Sequence, residues 1–270
     1  MIKKLKSIFI LSLFISGLSY TQIISPVIQE KKHGIELRVG EDFTYVVRYA
    51  FLNLGEVRIQ IIGEEFVNGK RLLNTAAYID SYDGLPFVKL HQIYKSTIDQ
   101  TFFPVKFLGL MLDEDTTYTE YIFYDDKRTS IKKGNYNTEK LWLDSTATLT
   151  ERHQDGLSIL FYARINFGEE KSEAVPCFVN EKEETTNINF YTDEEPVNID
   201  SVDYEIACRK LEGETNFVSV YGLTGEFEGW FSSDNSSVPI VATMNVLIGS
   251  ITLELIDWNK NLWSPPQYID

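Results

Sequence analysis

Alternation of apolar and polar positions runs through most of the chain and predicts β-strands. It is clearest at 43–50 (FTYVVRYA), 55–62 (GEVRIQII), 118–124 (YTEYIFY), 185–191, 202–208, 227–232, 239–246 and 250–256. In 250–256, Ile251, Leu253 and Leu255 share one face, while Thr252 and Glu254 share the other. Leu247-Ile248-Gly249 reads as a turn, which makes the last two strands a hairpin. Acidic or polar loops separate strands at Asp113-Glu114-Asp115 and at 181–184.

Two segments depart from the period of two. Phe87, Leu90, His91 and Tyr94 recur at helical spacing and predict a short helix. At 155–165, Leu157, Leu160, Phe161 and Arg164 fall on one stripe, with Asp155 placed to cap the helix start. There is no Pro/Ser-rich linker and no clear repeat. The reading is therefore one β-rich domain over 40–257, a size all-β barrels reach as single units. Residues 22–39 form a lead-in to it. Residues 258–270, with Trp263-Ser264-Pro265-Pro266, form an extended tail.

The first 21 residues belong to a different class. Lys3, Lys4 and Lys6 precede an 11-residue apolar run at 8–18, and Ser19-Tyr20-Thr21 supplies small residues at the −3 and −1 positions of a cleavage site before Gln22. A bilayer span needs roughly 20 apolar residues in helix, so this is a signal peptide (1–21) and the protein is exported, periplasmic or secreted. No Cys follows the apolar run to carry a lipid. No later stretch reads as a transmembrane helix once the signal is removed.

Charge narrows the choice of partners. The 270 residues carry 40 acids against 25 Lys and Arg, a net charge of −15. Loss of the signal removes three lysines and deepens this to −18. Such a surface excludes a general nucleic-acid binder and opposes docking on anionic lipid heads. Two cysteines remain, Cys177 and Cys208, each in phase with apolar strand neighbours. The pattern suits a cross-strand disulfide and equally suits two buried free thiols.

Catalytic motifs are sparse. Gly156-Leu157-Ser158-Ile159-Leu160 has half of a nucleophile elbow, but Leu160 stands where the second Gly is needed. The three histidines, His33, His91 and His153, form no zinc-binding spacing, and Asp113-Glu114-Asp115 lacks a calcium-loop pattern. No phosphate or dinucleotide loop is present, so no metal or cofactor is expected. A carboxylate pair for glycoside hydrolysis is not selected from among 40 acids. Arg164, charged on an apolar stripe, reads either as one half of an ion pair or as a cavity-facing holder of an anionic head group. Tyr45, Tyr49, Phe161, Tyr162 and Trp230 are candidates to line an apolar pocket with it.

Five segments in order carry a resemblance. They are 40–57 (GEDFTYVVRYAFLNLGEV), 96–104 (STIDQTFFP), 121–125 (YIFYD), 154–164 (QDGLSILFYAR) and 230–240 (WFSSDNSSVPI). Together they resemble the exported bacterial family known as domain of unknown function 3108, over about 40–256. Ser237-Val238-Pro239 stands where the family tends to carry a basic residue before the proline. The resemblance implies a mainly β fold: a curved antiparallel sheet or incomplete barrel wrapping one main helix, similar to lipoprotein carriers of the LolA/LolB type. It implies no activity. The expectation is a non-catalytic carrier of an apolar or lipid-like ligand. The alternatives are an envelope assembly factor that binds another protein and a carboxylate-based hydrolase of envelope glycans.

Overall fold

In a computed structural model, residues 34–35, 37–85, 89–218, 224–245, 249–260 and 262–269 are described. The signal segment, most of the lead-in, Phe87 and the turn at 247–248 lie outside them. The N-terminal half supplies β1 (Asp42–Tyr49), β2 (Leu52–Val67), β3 (Lys70–Ser81) and β4 (His91–Asp99). It continues through β5 (Pro104–Met111), β6 (Thr117–Phe123), β7 (Arg128–Asn135) and β8 (Leu141–Thr148). One helix follows, α1 (Ser158–Asn166). The second half holds β9 (Lys171–Val179), β10 (Lys182–Val197), β11 (Ile206–Thr215), β12 (Gly225–Ser232), β13 (Pro239–Asn245) and β14 (Ser250–Asn259).

All fourteen strands belong to one antiparallel sheet, ordered β8 to β1 and then β14 to β9. Each half is a meander of sequential hairpins, and the two halves meet where β1 pairs with β14. A flat sheet this wide is unstable against curling. Bulges supply the bends, for example between Thr44 and Tyr45, Val47 and Arg48, Ile61 and Gly63, and Trp230 and Phe231. Tight turns set the hairpins: Asn180 and Glu181, both at positive φ (52° and 61°), join β9 to β10 in the geometry that matches strand twist. The sequence 181–184, read as a loop, is thus one turn residue followed by the first three residues of β10.

The curled sheet brings its two ends together without pairing them. Gln154, leaving β8, instead pairs with β9: its N–H donates to the Pro176 carbonyl (2.8 Å), and its carbonyl accepts from Phe178 (2.8 Å). This covers a strand edge that would otherwise be open. Tyr121 on β6 donates to Glu181 (2.9 Å) and its ring meets Phe178 edge-on, which draws the two flanks into an incomplete barrel. The helix lies inside the curve, with Leu157 and Phe161 fully buried. The tail is docked rather than loose. Pro266 accepts from Ala207 (2.8 Å), Tyr268 donates to Glu205 (2.7 Å), and Trp263 packs on Phe43 and Trp258.

Two expectations are corrected, and of the two readings of the cysteines the structure has the second. The helix read from Leu90, His91 and Tyr94 is the start of β4, where Tyr94, Ser96 and Ile98 are buried in strict alternation. Four apolar positions are too few to separate the two periods. The strand read at 202–208 begins only at Ile206. The residues before it cross the outer face of the sheet, where Asp200 meets Arg48 (2.8 Å) and its N–H donates to Glu254 (2.9 Å). Cys177 and Cys208 are free thiols. Cys177 pairs with Glu184 and Cys208 with Glu195, positions eleven residues apart on β10 and so separated by tens of ångströms at about 3.3 Å per residue.

Candidate functional site

The concave face of the sheet and one side of α1 enclose a cavity of about 390 Å³, lined almost wholly by apolar surface. Its position follows from side-chain size along two neighbouring cross-strand rows. In one, Leu255, Tyr45, Val57 and Ile79 pair in succession across β14, β1, β2 and β3; their large side chains floor the space between sheet and helix, with Tyr45, Val57 and Ile79 in the cavity wall. Two residues further along the strands, the paired row reads Gly229, Ala242, Leu253, Val47, Gly55 and Ser81. Three of those six positions are Gly or Ala and all six line the cavity, although the room beside Gly229 is taken by Phe231 (3.0 Å from a Cβ built there) and Leu211 (3.4 Å). Gly55 is there for a backbone reason as well: a Cβ on it would stand 2.1 Å from the Asp80 carbonyl oxygen.

Burial falls along the same direction. On β1, Phe43 and Tyr45 are buried while Val47 and Tyr49 are half-buried; on β14, Leu255 is buried while Leu253 and Ile251 are half-buried. Among the described residues, the cavity is therefore least covered toward the end of β1 and the start of β14. From the helix, Ile159, Leu160 and Ala163 face it, as i, i+1 and i+4 residues of one side.

Of the residues singled out from sequence, Tyr45 and Asp155 line the cavity, and so does Cys177. The Tyr45 hydroxyl donates to the Pro239 carbonyl (3.0 Å), and burial holds its pKa far above the usual phenol range. Asp155 caps α1 as expected. Its Oδ1 accepts the N–H of Leu157 (2.8 Å) and of Ser158 (2.7 Å), and the Ser158 hydroxyl accepts the Asp155 N–H in return (2.8 Å). Ser158 is thus a capping residue rather than a nucleophile. Asp155 Oδ2 accepts from Ser96 (2.6 Å), yet burial outweighs these bonds and pushes the carboxyl up to about 6.

Arg164 has another role than the holder of a ligand head group. It is 1% exposed, with its guanidinium 2.8 Å from Glu41, and it donates to the carbonyls of Ser237 (3.1 Å) and Ser236 (3.0 Å). Lys260 closes on the other oxygen of Glu41. Burial alone would raise the Glu41 carboxyl; Arg164 and Lys260 outweigh it and hold it below its ordinary value. This clasp ties the start of β1, the end of β14 and the helix at the closed end. Phe161 packs beside it, the Arg164 guanidinium lying 6.0 Å from its ring.

The other candidates also sit off the cavity. Tyr162 donates to Glu173 (2.5 Å) and meets Phe103 edge-on. Trp230 alternates with the inward Gly229 and Phe231, so it faces outward, where it donates to Glu195 and carries Lys210 5.3 Å over its ring. Tyr49 lies by Gly249 at the open end. The stripe read on the helix is split: Leu160 turns to the cavity, Phe161 and Arg164 to the clasp. Glu41, Lys260 and Ser96 went unread because their roles depend on partners distant in sequence. The small residues at inward strand positions, Gly55, Gly229 and Ala242, were the signal available for the cavity.

Among the described residues, no cluster of His, Cys, Asp and Glu is placed to hold a metal ion, and no helix is long and apolar enough to cross a membrane. Of the lining positions that are acidic, Glu56, Asp80, Glu226 and Glu228 lie on strands in the outward phase, which leaves Asp155 as the carboxyl directed inward.

The fold has a solved counterpart in the β-barrel-like protein of domain of unknown function DUF1849 from Brucella abortus. The two share 10% identity with a TM-score of 0.53, over 81% of this chain and 96% of the other. A protein with YmcC-like fold from Bacteroides fragilis is more distant, with 9% identity and a TM-score of 0.35 over 84% and 98% of the two chains. Comparison with curated proteins finds no match. The family model for the protein of unknown function DUF3108 matches residues 44–256, from β1 through β14 and including the cavity and α1, and the chain belongs to that family.

Proposed function

We propose that this protein is an exported, non-catalytic binding or carrier protein for an apolar or amphiphilic, lipid-like ligand. The observation that carries the reading is the open-ended apolar cavity between sheet and helix. Unfilled core volume costs about 24 cal/mol per Å³, so a chain under no demand to keep it would close it with larger side chains. Volume and apolar lining are the usual attributes of a small-molecule site. The basic and apolar start of the sequence supports export.

The test is native mass spectrometry of the protein purified gently from an exporting host, followed by organic extraction. A discrete adduct that extracts as lipid and is lost in Ala242→Trp, which fills the cavity from the sheet side, is the expected result. A clean apo mass with no uptake from envelope lipids would count against a carrier. Export is checked on the same sample, where the intact mass should begin at Gln22.

A second reading, an assembly factor, has one observation in its favour. β8 ends the sheet without a partner strand among the described residues and exposes Leu141 and Trp142, an arrangement that a partner's strand could extend. Pull-down of an envelope protein that is lost on Trp142→Lys, but not on Ala242→Trp, would favour it.

A further inference from the structure

We infer that the cavity takes an amphiphile with one polar end, inserted apolar end first, and rejects one that is polar at both ends. This rests on the cavity being a ligand site. What a ligand touches is the surface that the wall leaves accessible. Val47, Ile159, Leu160, Phe227, Met244 and Leu253 are half-buried residues of the wall, and what they leave uncovered is hydrocarbon. The polar groups at its floor are sealed. Asp155, Tyr45, Thr186 and Cys177 line the cavity yet are each at most 3% exposed. Each also has its partners within the protein. Asp155 accepts from Ser96 and two helix amides, Tyr45 donates to Pro239, and Thr186 and Cys177 lie 3.5 Å apart. A hydroxyl carried to this depth would find none of them accessible and would stay unpaired.

The other end of the wall differs. Ser81 ends β3, Gln92 is the second residue of β4 and Thr215 ends β11, and all three are half-buried lining residues in the inward phase of their strands. The antiparallel order puts these strand termini on the same side of the sheet as the end of β1, where the cavity is least covered. Their hydrogen-bonding capacity is only partly used. Ser81 accepts the Leu90 N–H (2.9 Å) and keeps its own proton to donate. Gln92 accepts from Tyr94 (3.0 Å) and keeps its amide hydrogens. Thr215 donates to the Phe217 carbonyl (3.2 Å) and keeps its oxygen to accept. A polar head placed here has partners, while the chain behind it meets hydrocarbon. The wall is graded along one axis, and a few placed polar groups at one end of an apolar site fix the orientation of what it binds.

The experiment compares two isomers of equal composition, dodecane-1,2-diol and dodecane-1,12-diol, as competitors of the fluorescent probe N-phenylnaphthylamine on the full chain purified from an exporting host. The first isomer has one polar end and the second has two. The one-ended isomer should displace the probe at concentrations at least about ten-fold lower, since the other must leave a hydroxyl unpaired inside. Val57→Thr, which plants a hydroxyl in the cavity floor at nearly unchanged shape, should narrow that gap by giving the inserted hydroxyl a partner. Ser81→Ala, a half-buried change that keeps the fold intact if the buried one does not, should narrow it from the other side by weakening the one-ended isomer. Equal displacement by the two isomers, or a gap that neither variant moves, would overturn the orientation, with the carrier reading left standing if Ala242→Trp still blocks both. Failure of both compounds, or binding unaffected by Ala242→Trp, would bring down the ligand site itself.

Discussion

The two ends of β1 and β14 are made of the same strands yet behave as different materials. Toward the closed end, Leu255 is packed away and Tyr45, Val57 and Ile79 floor the cavity, while a buried clasp of Glu41, Arg164 and Lys260 ties strands to helix. One step along, Leu253 and Val47 sit among Gly229, Ala242 and Gly55, and the interior is left hollow. Both rows obey the same apolar alternation. What separates a packed core from a cavity is side-chain volume at positions that a hydrophobicity pattern scores alike.

The largest expected contrast comes from one substitution made in each row. Leu255→Ala should cost about 3–5 kcal/mol in urea unfolding, because it opens a new hole in a filled region. Leu253→Ala, which enlarges a space already present, should cost about 1–2 kcal/mol. Equal costs would mean that the rows do not differ as described.

Removing the charge at the centre of the clasp should be nearly as severe. Glu41→Gln leaves Arg164 and Lys260 buried without their carboxylate, a loss of about 3–5 kcal/mol. The triple change Glu41→Leu, Arg164→Met, Lys260→Met should recover most of it, since desolvation of the charges is then no longer incurred. Full stability in Glu41→Gln alone would show that the clasp does not hold the closed end.

A smaller effect distinguishes the cavity by pH. Asp155 has a folded pKa of about 6, raised from an ordinary 3.8 by burial. The folded state therefore holds its proton longer than the unfolded state does. The stability this provides is present below about pH 4 and lost as pH rises through about 6, an amount on the order of 2–3 kcal/mol. Asp155→Asn, which can still cap α1, should remove that slope, so the difference between variant and wild type should grow from pH 4 to pH 7. A constant difference would contradict the assignment.

The smallest effect is chemical. Cys177 lines the cavity, while Cys208 sits at the closed end opposite Ser232. Burial raises the Cys177 thiol to about 11 and the Cys208 thiol still further, so both should react slowly. A small apolar maleimide should nevertheless label Cys177 first, as read by peptide mass mapping, and reductant should leave the melting temperature unchanged. Preferential labelling of Cys208 would reverse the two ends.

Much of the fold was legible from sequence because it rests on local pattern. The alternation at 43–50, 118–124, 227–232 and 250–256 marks strands, and Asp155 followed by Ser158 marks the helix start. The family motifs supplied the curvature. β7 and β8 were missed because their residues, RTSIKKGN and LWLDSTAT, are largely polar and are held by neighbours rather than by an apolar face. The site was less legible. Tyr45 and Asp155 face the cavity, but Arg164 was read from its helical phase, and phase gives the face of a side chain without its partner. Glu41 lies far away in the chain and reaches Arg164 only because β1 and the helix meet at the closed end.

The pairing of β1 with β14 also fixes the order in which the molecule can be completed. Every other ladder joins strands that follow one another in the chain, so each half can zip hairpin by hairpin as it is made. β1 precedes β14 by twelve intervening strands, and until they meet β1 offers an unpaired backbone edge and an uncovered apolar face. The sheet therefore cannot be completed before β14 has been made. A sheet built this way exists as two separate meanders until that one ladder joins them.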